Sequence, residues 1–189
     1  HRLDSQFGMA VALEIAGKAL WSRAKFRPDM LFQALNELLM DPAMNLKRIL
    51  CPIDFSPDNK AANEYASMLA DSTGAKIIYL HTFLPDVTYG SPALFDSKKE
   101  EKRLLAKLEE EFKPALKNIV GSYVVEFGTP ADRITHFANE NKIDLIVMGT
   151  HGRTGLRRVI MGSVAEAVIR RAECPVLAIK SDMHVLQNN

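Results

Sequence analysis

The sequence predicts an α/β fold, a five-stranded parallel sheet sandwiched by helices, and three observations carry that expectation. Over residues 45–182, short β-branched runs alternate with stretches of helical periodicity, the pattern of successive βαβ units. The runs are apolar almost throughout, as strands buried on both faces must be. Hydrophobic residues make up 47 % of the 189, enough for one packed domain.

The elements follow in order. Five runs have strand length: Lys47–Asp54, Ala75–Thr82, Ser122–Phe127, Asp144–Met148 and Pro175–Ile179. Ser56 and Pro57 open the first helix with a capping side chain and a proline in the first turn, and Gly74 closes it. The second helix begins near Ser97 and stripes Leu104, Leu105, Leu108, Phe112, Leu116 and Ile119 at three-to-four spacing, with Pro114 a kink or break. Thr129, Pro130 and Asp132 start the third in the manner of a capping box, and a fourth follows Gly162. The long segment Phe83–Asp96, with Pro85, Gly90 and Pro92, reads as a loop that is either a lid or a plain connection.

Residues 1–44 differ. They hold four of the eight methionines and the single tryptophan, Trp21, and read as two amphipathic helices, Met9–Ala24 and Pro28–Met40. A piece this small has too little core to stand alone, so its apolar positions, Leu13, Leu20, Trp21, Leu31, Phe32, Leu35 and Leu39, must pack on the main domain or on another chain. The chain starts at His1, and Met44 stands just before the first strand, which leaves the extension's origin open between native, processed and artificial. The expected organisation is a helical extension over 1–44, a domain over 45–182 and a tail over 183–189.

Charge narrows the function. Lysine and arginine total 24 against 23 acids, a net charge of +1, so no broad field would hold the chain on nucleic acid or an anionic membrane. No uncharged run exceeds nine residues, against the ~20 apolar residues of a membrane helix, and Asp4 and Glu14 fall where a signal peptide would be apolar. The expectation is a soluble cytoplasmic protein. Cys51 and Cys174 each sit beside a proline in apolar surroundings, as reduced thiols do, and neither has a second ligand at zinc spacing.

Motifs for nucleophilic or metal catalysis are missing: there is no GxSxG, no HExxH and no paired-cysteine site. Phosphate-binding glycines are present. After the fourth strand the chain reads Met148, Gly149, Thr150, His151, Gly152, Arg153, Thr154, Gly155, and nine residues beyond Gly152 come Gly162, Ser163 and Val164. This is neither a Walker loop nor GxGxxG. Glycines at the carboxyl end of a strand let backbone amides approach a polyanion, and Gly162-Ser163 offers amides and a hydroxyl at a helix start. Blander roles stay open: turn glycines for Gly149 and Gly152, a capping box between Ser163 and Glu166, a helix cap for Asp54. His151 has no neighbouring nucleophile to activate, and of the loop arginines only Arg153 is assigned a phosphate contact.

The G-2x-G-9x-G-S spacing, together with Pro52, Ile53, Asp54, Phe55 and Ser56 at the end of the first strand, closely resembles the universal stress protein family in its ATP-binding branch. The resemblance covers residues 45–182. It implies the adenine-nucleotide alpha-hydrolase-like fold, with adenine by the ends of strands one and two, near Asp54 and Thr82, and ribose and phosphates on the glycine loop and Gly162-Ser163. The nucleotide-binding residues it implies are Pro52, Ile53, Asp54, Ser56, Thr82, Met148 to Gly155 and Gly162 to Val164, with no catalytic residue and with Mg²⁺ arriving on ATP. ATP, ADP or AMP is the implied ligand. The function implied is nucleotide-dependent regulation of a stress response through an unidentified protein partner, with little turnover. A phosphotransferase or slow ATPase on the same fold, and a dimerisation module without nucleotide, are the rival readings. The resemblance further implies a homodimer made by pairing the last strand, Val176–Ile179, with its own copy, which would cover an apolar sheet edge.

Overall fold

The computed structural model describes residues 46–84, 96–150 and 161–179, with the backbone of two further strands at 11–15 and 18–22. The elements are β1 (Val11–Ile15), β2 (Lys18–Ser22), β3 (Arg48–Ile53), α1 (Asp58–Thr73), β4 (Lys76–Phe83), α2 (Ser97–Glu111), β5 (Gly121–Phe127), α3 (Pro130–Glu140), β6 (Leu145–Gly149), α4 (Ser163–Arg171) and β7 (Val176–Ile179). The five strands β3 to β7 all pair in parallel. The whole sheet runs β2-β1-β7-β6-β3-β4-β5. The chain therefore moves outward through β4 and β5, then returns to the other side of β3 for β6 and β7. A crevice at the carboxyl ends of β3 and β6 is the geometric result of that reversal.

Alternation along β3 explains why its residues read as one apolar run. Ile49, Cys51 and Ile53 face α1 and α2, packing with Tyr65, Leu69, Tyr79, Leu104 and Leu108. Leu50 faces the other layer, with Ile134, Phe137, Ile146, Val168 and Val176. Each such aliphatic side chain removed from water is worth about 1.5–3 kcal/mol, so a strand that feeds two cores is specified twice over.

The helix ends follow local chemistry, with corrections. Gly74 closes α1 with φ +73, a left-handed conformation suited to glycine, and donates to the Ala70 carbonyl at 2.8 Å. Asp96 caps α2 by accepting from the Lys99 amide at 3.0 Å. The expected stripe ends early: α2 stops at Glu111, Phe112 is extended, and Leu116 and Ile119 lie beyond it, because Pro114 cannot continue a helix. The capping side chain expected at Thr129 makes no cap hydrogen bond. Pro57 and Gly162 hold the N-cap positions of α1 and α4, and Ser163 is already the first helical residue.

The largest correction concerns the extension. Residues 11–22 were expected to be helical, yet Val11–Ile15 and Lys18–Ser22 pair as antiparallel strands, Leu13 opposite Leu20. β1 also pairs antiparallel with β7, setting Leu13 against Leu177 and Glu14 against Val176. Short apolar runs fit either period, and an unpaired row of amides and carbonyls on β7 decides for the strand. Val176–Ile179 is consequently an interior strand with all four residues buried, flanked by β6 and β1. The free edge on which the last-strand homodimer was to form is taken by this chain's own β1. The second expected helix, Pro28–Met40, the loop over 85–95 and the tail over 183–189 lie outside the described residues. Among the described residues no helix is long and apolar enough to cross a membrane.

Candidate functional site

A crevice of about 430 Å³ opens at the carboxyl ends of the strands. Three walls meet there: Pro52, Ile53 and Asp54 leaving β3; Leu80 to Leu84 at the end of β4; and Met148, Gly149 and Thr150 leaving β6. Gly162 to Ala165 close it from the start of α4, and Pro130 and Ile134 from the start of α3.

The two halves of the glycine motif meet at this crevice. The Gly162 amide donates to the Thr150 carbonyl at 2.7 Å, and the Thr150 amide donates to the Ile179 carbonyl at 2.8 Å. The end of β6 and the start of α4 are thus held together. With glycine at its N-cap, α4 presents its first-turn amides without a capping side chain across them. Backbone amides and a positive helix end converge on one side of the crevice, the arrangement that receives an anion. Gly162 does so at φ −75, an ordinary conformation. Its value here is the missing side chain, not backbone freedom.

Opposite lies the turn after β3. The Asp54 and Ser56 amides both donate to Asn59 Oδ1, at 3.0 and 3.1 Å, and the Ser56 amide also donates to Asp54 Oδ1 at 3.0 Å. Asp54 therefore stands at the crevice with its carboxylate braced by its own turn. Beneath it, His81 Nδ1 donates to the Ile53 carbonyl at 2.7 Å, which fixes the ring between β3 and β4. Thr150 Oγ1 donates to Asp58 Oδ2 at 3.2 Å, a buried link from the end of β6 to the start of α1.

Of the residues the sequence singled out, Pro52, Ile53, Asp54, Thr82, Met148, Gly149, Thr150, Gly162, Ser163 and Val164 all line the crevice. Ser56 is buried behind the turn and is not part of the lining. His151, Gly152, Arg153, Thr154 and Gly155 lie outside the described residues. Sequence reasoning missed Asn59, Asp58, His81, Pro130 and Ile134. Asn59 had a local signal, an amide side chain three residues after Ser56 in a turn; His81, Pro130 and Ile134 reach the crevice, and Asp58 reaches Thr150, only through the sheet order.

The buried thiols take no part. Burial pushes Cys51 up to about 12 and, with weaker help from Asp144 and Glu173, Cys174 up to about 11, so neither is a nucleophile near neutrality. Among the described residues no group of three His, Cys, Asp or Glu side chains is placed to hold a metal ion.

Residues 45–180 match the universal stress protein family. The chain belongs to that family. It is 33 % identical over 159 residues to universal stress protein MJ0531 of Methanocaldococcus jannaschii, a match covering 79 % of this chain and 91 % of that protein. It is 32 % identical over 153 residues to universal stress protein MJ0577 of the same organism, covering 71 % and 94 %. Among solved structures, UspA of Lactobacillus plantarum superposes with a TM-score of 0.59 at 27 % identity, over 70 % of this chain and 97 % of that one. As in that protein, the universal stress domain here is an α/β sandwich on a parallel sheet.

Proposed function

We propose that this universal stress protein binds an adenine nucleotide, ATP with Mg²⁺ or else ADP or AMP, in the crevice between β3 and β6 and works as a cytoplasmic regulator with little or no turnover. One observation carries the reading: Gly149-Thr150 at the end of β6 and Gly162-Ser163 at the start of α4 are tied by the 2.7 Å bond from Gly162 to Thr150 and face Asp54 across the crevice. Ribose and phosphates would lie on the glycine side, against Gly149-Thr150 and the amides at the start of α4, and the base between Thr82 and Asp54. Magnesium would arrive with the triphosphate, where phosphate and water oxygens suit it, so the protein need supply no metal cage of its own.

Regulation implies a partner, and a dimer through Val176–Ile179 would require β1 to leave that edge first. The testing experiment is calorimetric titration of the purified chain with ATP, ADP and AMP, alongside release of labelled phosphate. Binding with negligible release supports the regulator. No binding at millimolar nucleotide removes the reading, and steady release over many turnovers replaces it with a slow ATPase.

A further inference from the structure

Phe55 does not line the crevice, yet its conformation governs the residue that does. It lies at φ +62, in the left-handed region that a bulky side chain seldom adopts. Such an outlier persists only where the surroundings over-determine it. Here three groups, from β4, α2 and the residue just past α2, do so. The Phe55 ring meets the His81 ring at 4.7 Å between centroids and the Phe112 ring at 5.9 Å, both tilted, and Lys107 Nζ stands 3.9 Å over its face. His81 is itself buried and held by its bond to the Ile53 carbonyl.

On either side of Phe55 the chain shows what this conformation achieves. The amides of Asp54 and Ser56 converge on the single Oδ1 of Asn59, and the second of them also holds the Asp54 carboxylate. Two amides flanking one residue turn toward a common acceptor when that residue is left-handed and its neighbours are not. Glycine is the usual occupant of such a position, at no steric cost. A phenylalanine there makes sense if its ring, not the freedom of its backbone, sets the turn.

We propose that Phe55 is the positioning residue of the nucleotide crevice: its ring, clamped by His81, Phe112 and Lys107, locks the turn that aims Asp54 and ties that turn to α2. The proposal rests on the nucleotide reading above for its ligand. It goes beyond that reading in making a residue outside the crevice set its affinity, and in coupling α2 to the site.

The discriminating variant is Phe55→Gly, which frees the backbone and removes the ring, compared with Phe55→Tyr, which keeps an aromatic face. Two readouts are taken on the full chain: calorimetric affinity for AMP and ATP, and amide hydrogen exchange at Asp54 and Ser56 without ligand. Phe55→Gly is expected to weaken nucleotide binding at least about tenfold, the scale of a slightly misplaced contact, and to speed exchange at both amides, while Phe55→Tyr restores both. Wild-type affinity and protected amides in Phe55→Gly would overturn the proposal, because the turn would then need only its backbone angle. If Phe55→Gly does not fold, Phe55→Leu, bulky without a π face, is read the same way. Should the wild-type chain bind no nucleotide, the functional reading fails by itself, and exchange at Asp54 and Ser56 alone decides whether the ring positions the turn.

Discussion

The Thr150 hydroxyl donates to the Asp58 carboxylate at 3.2 Å, joining two residues 92 apart in sequence that are 1 % and 5 % exposed. The bond crosses the point where the strand order reverses, and so fixes the glycine side of the crevice to the start of α1. A hydrogen bond to a buried charged group is costly to remove from one side only, because the carboxylate keeps its desolvation. Thr150→Val should therefore destabilise the fold by about 1–3 kcal/mol, with Thr150→Ser close to wild type. Urea unfolding measures both; equal midpoints for Val and Ser would show that the hydroxyl does not carry the link.

Nucleotide should stabilise the chain by mass action. At a hundredfold excess over its dissociation constant, ATP contributes about 2.7 kcal/mol, which thermal unfolding resolves easily. Gly162→Val should erase that shift while the ligand-free chain still folds, because a branched side chain would stand where phosphate must approach an uncapped helix start. A Gly162→Val protein that kept the full shift would place the phosphates elsewhere.

Alkaline pH should destabilise the fold through its buried acids. Cys51 ionises near 9 when unfolded and only near 12 when folded, Cys174 near 11, and Tyr65 shifts from 10 to about 12, in each case chiefly by burial. Above pH 9 the unfolded chain therefore binds fewer protons than the folded one, and stability falls as pH rises from about 9 to 12; below 9 these groups contribute no pH dependence. Cys51 alone should account for a loss approaching 1.4 kcal/mol per pH unit in that window. Urea midpoints at pH 8 and pH 10 test this, and Cys51→Val should flatten the fall; an unchanged slope in that variant would absolve the thiol.

Removing residues 1–44 takes β1 away and exposes the unpaired edge of β7. An apolar four-residue edge should then pair with another, giving association that grows with concentration. Light scattering on the full chain and on residues 45–189 makes the comparison. Identical masses would mean that β1 does not govern self-association.

How far the sequence reached can be judged element by element. Ile49 to Ile53 and Leu145 to Met148 were legible as strands because each feeds two cores and must be apolar at every position. Gly74 and Pro114 marked helix ends by conformational limits that act within a few residues. Gly149 and Gly162 pointed to phosphate because amide access is also a local property. All of these are decided by a residue and its near neighbours.

Residues 11–22 were not legible. Their short apolar runs satisfy a helix or a strand, and the choice falls to the open edge of β7, more than 150 residues away in the chain. The same holds for His81, which reaches the crevice only because β4 lies beside β3, and for Asp58, which meets Thr150 only because β6 returns to the other side of β3. Phe55 is the sharpest case: its left-handed backbone runs against its own steric preference and is held by rings and a cation from β4, α2 and the residue just past α2. Local sterics and burial wrote the sandwich into the sequence, whereas edge pairing and contacts between distant elements, whose energy exists only once the sheet order is set, decided the fate of the extension and the aim of the site.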